Sequence, residues 1–76
     1  MDETETVLES ITEAQMRGTP MTYTQLVSEL SGKMPEDRIR SVLLRLYDSA
    51  KVMNRNVRMD GKDVRVIVNP NKPLSS

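Results

Sequence analysis

Arg38, Arg40, Ser41 and Arg45 crowd into one short stretch of this chain. A guanidinium is a planar, permanently charged fork of donors that matches paired oxygen acceptors. Several of them beside a small hydroxyl suit the reading of nucleic acid, and they equally make an ordinary solvated face. The residues around them decide how they are presented. Pro35 fits the first turn of a helix, and Glu36 and Asp37 place negative charge at the positive end of its dipole. Ile39, Val42, Leu43, Leu46 and Ala50 then recur at helical spacing as one apolar stripe. The opposite face carries Asp37, Arg40, Ser41, Leu44, Arg45 and Asp48, with Arg38 at the border. The spacing predicts a helix near 35–49, too short to stand without docking on something.

Other chemistries have little material. The chain has neither histidine nor cysteine. That removes the commonest general base, the commonest metal ligand, any thiolate site and any disulfide. The acidic pairs Glu36/Asp37 and Asp60/Asp63 fit a helix dipole and a turn, and no phosphate-binding G-x-x-x-x-G-K-[ST] loop is present. An enzymatic role is therefore not expected, nor is a cofactor or a metal. No apolar run approaches the ~20 residues of a membrane span, and the acidic start does not resemble a secretion signal. A cytoplasmic location away from membranes is the expectation. The 76 residues make one domain, which buries only about 60% of its unfolded surface.

The net charge is zero, yet the charge is polarised along the chain. Residues 1–30 hold six carboxylates against Arg17, a balance of −5, and residues 31–76 hold ten basic groups against five acidic ones, a balance of +5. Such polarity points to a polyanion-facing second half, or simply to two soluble surfaces.

A first helix is expected from Thr4 to about Arg17, capped by Thr4 or Asp2, after a frayed segment 1–3. Val7, Leu8, Ile11 and Ala14 share its inward face, Met16 lies near the edge, and Glu5, Glu9 and Glu13 line the outside. Gly18 stops it and Pro20 forbids continuation. Met21 enters the core in a short extended segment. Thr22-Tyr23-Thr24-Gln25 is a capping-box pattern that opens a second helix, about Tyr23 to Ser31, with Leu26, Val27 and Leu30 inward. Gly32-Lys33-Met34 then turns sharply into the arginine-bearing helix.

After Ala50 the apolar period changes to two. Val52–Met59 and Lys62–Val68 flank Asp60-Gly61, a strong hairpin signal because both turn residues need positive φ. A two-residue loop sets Met59 opposite Lys62, Arg58 opposite Asp63, Val57 opposite Val64, Arg55 opposite Val66 and Met53 opposite Val68. Met53, Val57, Val64, Val66 and Val68 would then cover the helices, with Arg58, Arg65 and Asn56 outside and Ile67 the exception there. Residues 69–76, with two prolines, read as a flexible tail.

The order of elements resembles a winged helix-turn-helix domain over residues 4–68. TYTQLVSELSG supplies helix two and its exit, PEDRIRSVLLRLYDSAKV helix three running into the hairpin, and NVRMDGKDVRVIV the wing. Small transcriptional regulators of bacteria and their phages look like this. The resemblance implies an α+β fold of three helices with a C-terminal β-hairpin wing. It further implies double-stranded DNA as the partner, helix three in the major groove and the hairpin tip on the neighbouring backbone or minor groove. On that reading Arg38, Arg40, Ser41 and Arg45 belong to the recognition helix, and Arg58, Lys62 and Arg65 are the wing's cations. Thr22, Tyr23 and Thr24 offer hydroxyls and amides to a phosphate.

Glu36 and Asp37 depart from this pattern, since carboxylates in the first turn repel phosphate. They support an alternative: a protein-interaction module on the same fold that does not bind DNA. Tyr23 reads as either a phosphate-bonding hydroxyl or a core filler, and Tyr47 as structural. Leu44, exposed, fits a homodimer interface shared with helix one or the tail.

Overall fold

A computed structural model describes residues 2–72. Three helices, α1 (Glu3–Met16), α2 (Tyr23–Leu30) and α3 (Glu36–Asp48), precede two antiparallel strands, β1 (Met53–Met59) and β2 (Lys62–Val68). This is an α+β fold with the architecture of a winged helix, the hairpin forming the C-terminal wing.

Local chemistry sets each boundary. Asp2 caps α1, its Oδ1 accepting from the Glu5 N–H at 2.8 Å, so the helix begins within the segment expected to fray. At the other end Gly18 takes φ +83°, and the amides of Gly18 and Thr19 donate back to Gln15 and Ala14. Thr22 and Gln25 close the expected capping box at the start of α2. Pro35 is the N-cap of α3 and contributes no side-chain bond, leaving Glu36 and Asp37 to complement the dipole. Ala50 departs from the expected stripe. It is exposed at φ +57°, serving as the left-handed residue that ends α3, with Lys51 N–H donating to Leu46 O at 2.9 Å.

The core gathers Val7, Ile11 and Ala14 of α1, Leu26 and Leu30 of α2, and Ile39, Val42, Leu43 and Leu46 of α3. Met21, Met34, Val52 and Ile67 close it. The hairpin has the expected register, with Asp60 and Gly61 at φ +52° and +78°. Which of its faces is covered differs from expectation. Ile67 is in the helical core, and its N–H donates to Met21 O at 2.8 Å in an isolated bridge. Val66 and Val68, on the other face, are buried too, whereas Met53 is exposed. The reason is position: β2 lies between β1 and Met21 and packs on α1, so the simple alternation of a half-buried ribbon does not apply to its end.

Beyond Val68 the chain is fastened rather than free. The Asn69 N–H donates to Gln15 Oε1 at 2.6 Å, and Gln15 Nε2 donates to the carbonyls of Asn69 and Lys72. Asn69 Nδ2 also donates to Thr12 Oγ1. Residues 69–72, expected as the start of a tail, therefore form a turn on α1, and residues 73–76 lie outside the described residues.

Candidate nucleic-acid interface

At 100° per residue, the exposed and half-buried residues of α3 divide into two edges and a crest. Arg38 and Arg45 share one edge, Glu36, Arg40 and Tyr47 the other, and Asp37, Ser41, Leu44 and Asp48 run between them. The sequence-predicted arginines are therefore not one cluster.

The first edge faces the start of α1. Arg38 Nη1 donates to Glu3 Oε1 at 2.8 Å, and Asp2, Glu3 and Thr4 line one hollow with Arg38, Ser41 and Arg45. Three of the predicted contact residues thus sit beside two carboxylates.

The second edge borders a groove that three elements build together. Thr22, Tyr23 and Thr24 come from the N-terminus of α2, Leu43 and Tyr47 from α3, and Asn54, Arg65 and Ile67 from the hairpin. The Thr22 hydroxyl accepts from Gln25 N–H, and Thr22 O accepts from Leu26 N–H. The Tyr23 and Thr24 amides therefore stand at the open, positive end of α2. Tyr23 Oη donates to Glu36 Oε2 at 3.1 Å, and Arg40 Nη2 donates to the same oxygen at 3.1 Å. The Tyr23 hydroxyl, together with the Glu36 carboxylate, holds the Arg40 guanidinium above its ordinary value. The Tyr47 hydroxyl donates to Asn54 Oδ1, which ties α3 to β1. Burial pushes that hydroxyl above the ordinary tyrosine value, with the nearby Arg65 cation opposing, so it stays protonated as a donor.

The hairpin divides its cations as well. Register places Asn54, Asn56, Arg58, Asp63, Arg65 and Ile67 on the face towards this groove. Lys62 lies on the opposite face with Arg55, a cation that the sequence reading left unassigned. Arg58 and Asp63 are cross-strand partners, but among the described residues the ion pairs are Arg38–Glu3 and Arg40–Glu36.

Neither family models, curated proteins nor solved structures gave a match to this chain.

The described residues hold no group of three or more His, Cys, Asp or Glu placed to bind a metal ion, and no helix long and apolar enough to cross a membrane. The groove and its borders present donors: the open end of α2, the Tyr23 and Thr24 hydroxyls, Arg65 with Arg58 beyond it, and Arg40 on the α3 border. The i,i+4 spacing of Glu36 and Arg40 announces their pair, but sequence reasoning missed Tyr23–Glu36 as the bond between two helices and Tyr47–Asn54 as the bond between helix and wing. Neither leaves a signal in spacing, because each joins residues that only the tertiary fold brings together.

Proposed function

We propose that this domain binds double-stranded DNA as a small transcriptional regulator, using the groove between α2, α3 and the hairpin. The observation that supports this reading is the convergence on that groove of a helix N-terminus, Arg40 and the Arg65 face of the wing. Each suits a different part of a duplex. An α-helix fits the major groove, and an arginine on its edge reaches the phosphates that border it. A helix N-terminus and wing arginines suit backbone phosphates. In this reading α3 enters the groove by its Arg40 edge, and Arg58 and Arg65 follow the adjoining backbone. The acidic start of α1 beside Arg38 and Arg45 turns that edge away from phosphate. A single domain meets few base pairs, so two copies on a two-fold site would raise affinity, and sedimentation with and without DNA tests that pairing.

The deciding experiment is a salt titration of binding to random duplex DNA. Log affinity should fall linearly with log salt, at a slope near −0.9 per neutralised phosphate. One observation favours a second reading. Leu44, 59% exposed between Asp37 and Asp48 on the crest of α3, suits a protein partner better than a phosphate backbone. Amide resonances that do not move with duplex DNA at low salt would replace the first reading by this one.

A further inference from the structure

Tyr23 and Arg40 aim at a single oxygen. Glu36 Oε2 accepts from both, each at 3.1 Å. Tyr23 is the first residue of α2, so the positive end of that helix adds to the field at this point. A hydroxyl and a guanidinium on one oxygen are a donor set that proteins offer to phosphate. The carboxylate that fills it is not locked in place. The side chains of Arg40 and Glu36 are 62% and 53% exposed, and an exposed pair of this kind is weak enough for another anion to displace.

We propose that Tyr23 and Arg40 form a phosphate clamp within the DNA interface, and that Glu36 is the intramolecular stand-in which a backbone phosphate displaces. This deepens the DNA reading and rests on it for the identity of the phosphate. Glu36 is then self-inhibiting: the clamp engages DNA only after releasing its own carboxylate. Asp37 provides the contrast. It lies one residue away on the crest and accepts no side-chain hydrogen bond from the described residues, so its charge repels DNA without occupying a donor.

Glu36→Ala and Asp37→Ala remove the same charge from the same helical turn, and only the first vacates the clamp. Binding to a random duplex is measured against salt for both, alone and combined with Arg40→Ala, after melting curves establish that each variant folds. Glu36→Ala should raise affinity at low salt by up to about fivefold, the strength of one surface ion pair. Its log–log salt slope should stay that of the wild type, because the same phosphate fills the clamp in both complexes, whereas Arg40→Ala should flatten the slope by about 0.9. Asp37→Ala should raise affinity less, and beside Arg40→Ala the Glu36→Ala gain should shrink to that of Asp37→Ala. Equal gains for Glu36→Ala and Asp37→Ala, or a Glu36→Ala excess that survives loss of Arg40, overturn the clamp. A second arm uses inorganic phosphate and follows the Arg40 side-chain and Tyr23 ring resonances by NMR. Both should shift in Glu36→Ala at lower phosphate than in the wild type. Phosphate shifts in a protein that never binds duplex would sink the DNA reading and leave the clamp standing. Duplex binding with equal gains and unmoved Tyr23 and Arg40 resonances would do the reverse.

Discussion

On one edge of α3, Arg38 reaches across to Glu3, 35 positions away in the sequence, at 2.8 Å. On the other edge, Arg40 reaches Glu36 within its own helix at 3.1 Å, and that carboxylate also holds Tyr23 from α2. Both are exposed arginine–glutamate pairs of the kind that contributes at most about 1 kcal/mol. Their surroundings separate them. The Arg38 edge is bordered by the acidic start of α1, whereas the Arg40 edge is bordered by an open helix N-terminus and by Arg65. The type of a charged residue says little about its partner; the sign of the field around it says more.

The largest effect should come from breaking what both edges share. Leu46 is fully buried beneath them, and Leu46→Ala should cost roughly 2–5 kcal/mol in urea or thermal unfolding, a large share of the stability of so small a domain. An unchanged melting curve would mean that the wrong face of α3 has been placed inward. Next comes the distinction between the edges. Arg40→Ala should cost about 1.5–3 kcal/mol on all DNA sequences alike, as loss of a charge-assisted phosphate bond, and flatten the salt slope by about 0.9. Arg38→Ala and Arg45→Ala should each cost less than about 1 kcal/mol, a surface charge's worth. Equal losses on both edges, read by fluorescence anisotropy, would erase the distinction.

The wing sharpens the comparison by salt dependence. Arg58→Ala and Arg65→Ala should weaken all sequences alike and flatten the salt slope by about 0.9 each. Arg55→Ala, on the other face, should leave the slope unaltered. The smallest effect concerns the ends of two helices. Gly18 ends α1 at φ +83°, while Ala50 does the same service for α3 at φ +57°. A left-handed alanine costs about 1–2 kcal/mol, and glycine returns part of that as lost chain entropy. Ala50→Gly should therefore stabilise the domain by about 0.5–1 kcal/mol in denaturant unfolding.

Much of this fold was legible because its punctuation is local. Thr22 with Gln25, Gly18 before Pro20, and Asp60-Gly61 each act over a few residues, and each sits where its chemistry requires. The apolar stripe of α3 was legible for the same reason, except at Ala50, where helical spacing continues for a residue after the helix has ended. What failed was whatever depends on distant neighbours. Ile67 looked like an exception on an outer face because nothing in a two-residue period announces that Met21 pairs beside it. Gln15 drew no notice because a polar residue at the edge of an apolar stripe reads as solvent-facing, yet it is fully buried. The interface suffered likewise: arginine positions were readable, but their division between two edges was set by α1 and α2.

Gln15 also bears on how long the folded state lasts. Its amide bonds to the backbone of Asn69 across 54 positions, so it can close only when α1 and β2 are already in place. Loop closure over such a span is an entropic cost that a growing nucleus avoids, whereas α-helical turns and the hairpin form from near neighbours. A contact of that kind belongs to the late side of the folding barrier. Gln15→Ala should accordingly quicken unfolding while leaving refolding in stopped-flow experiments almost unchanged. The amide acts as a latch: it has little say in whether the chain finds its fold, and a large one in how soon it leaves.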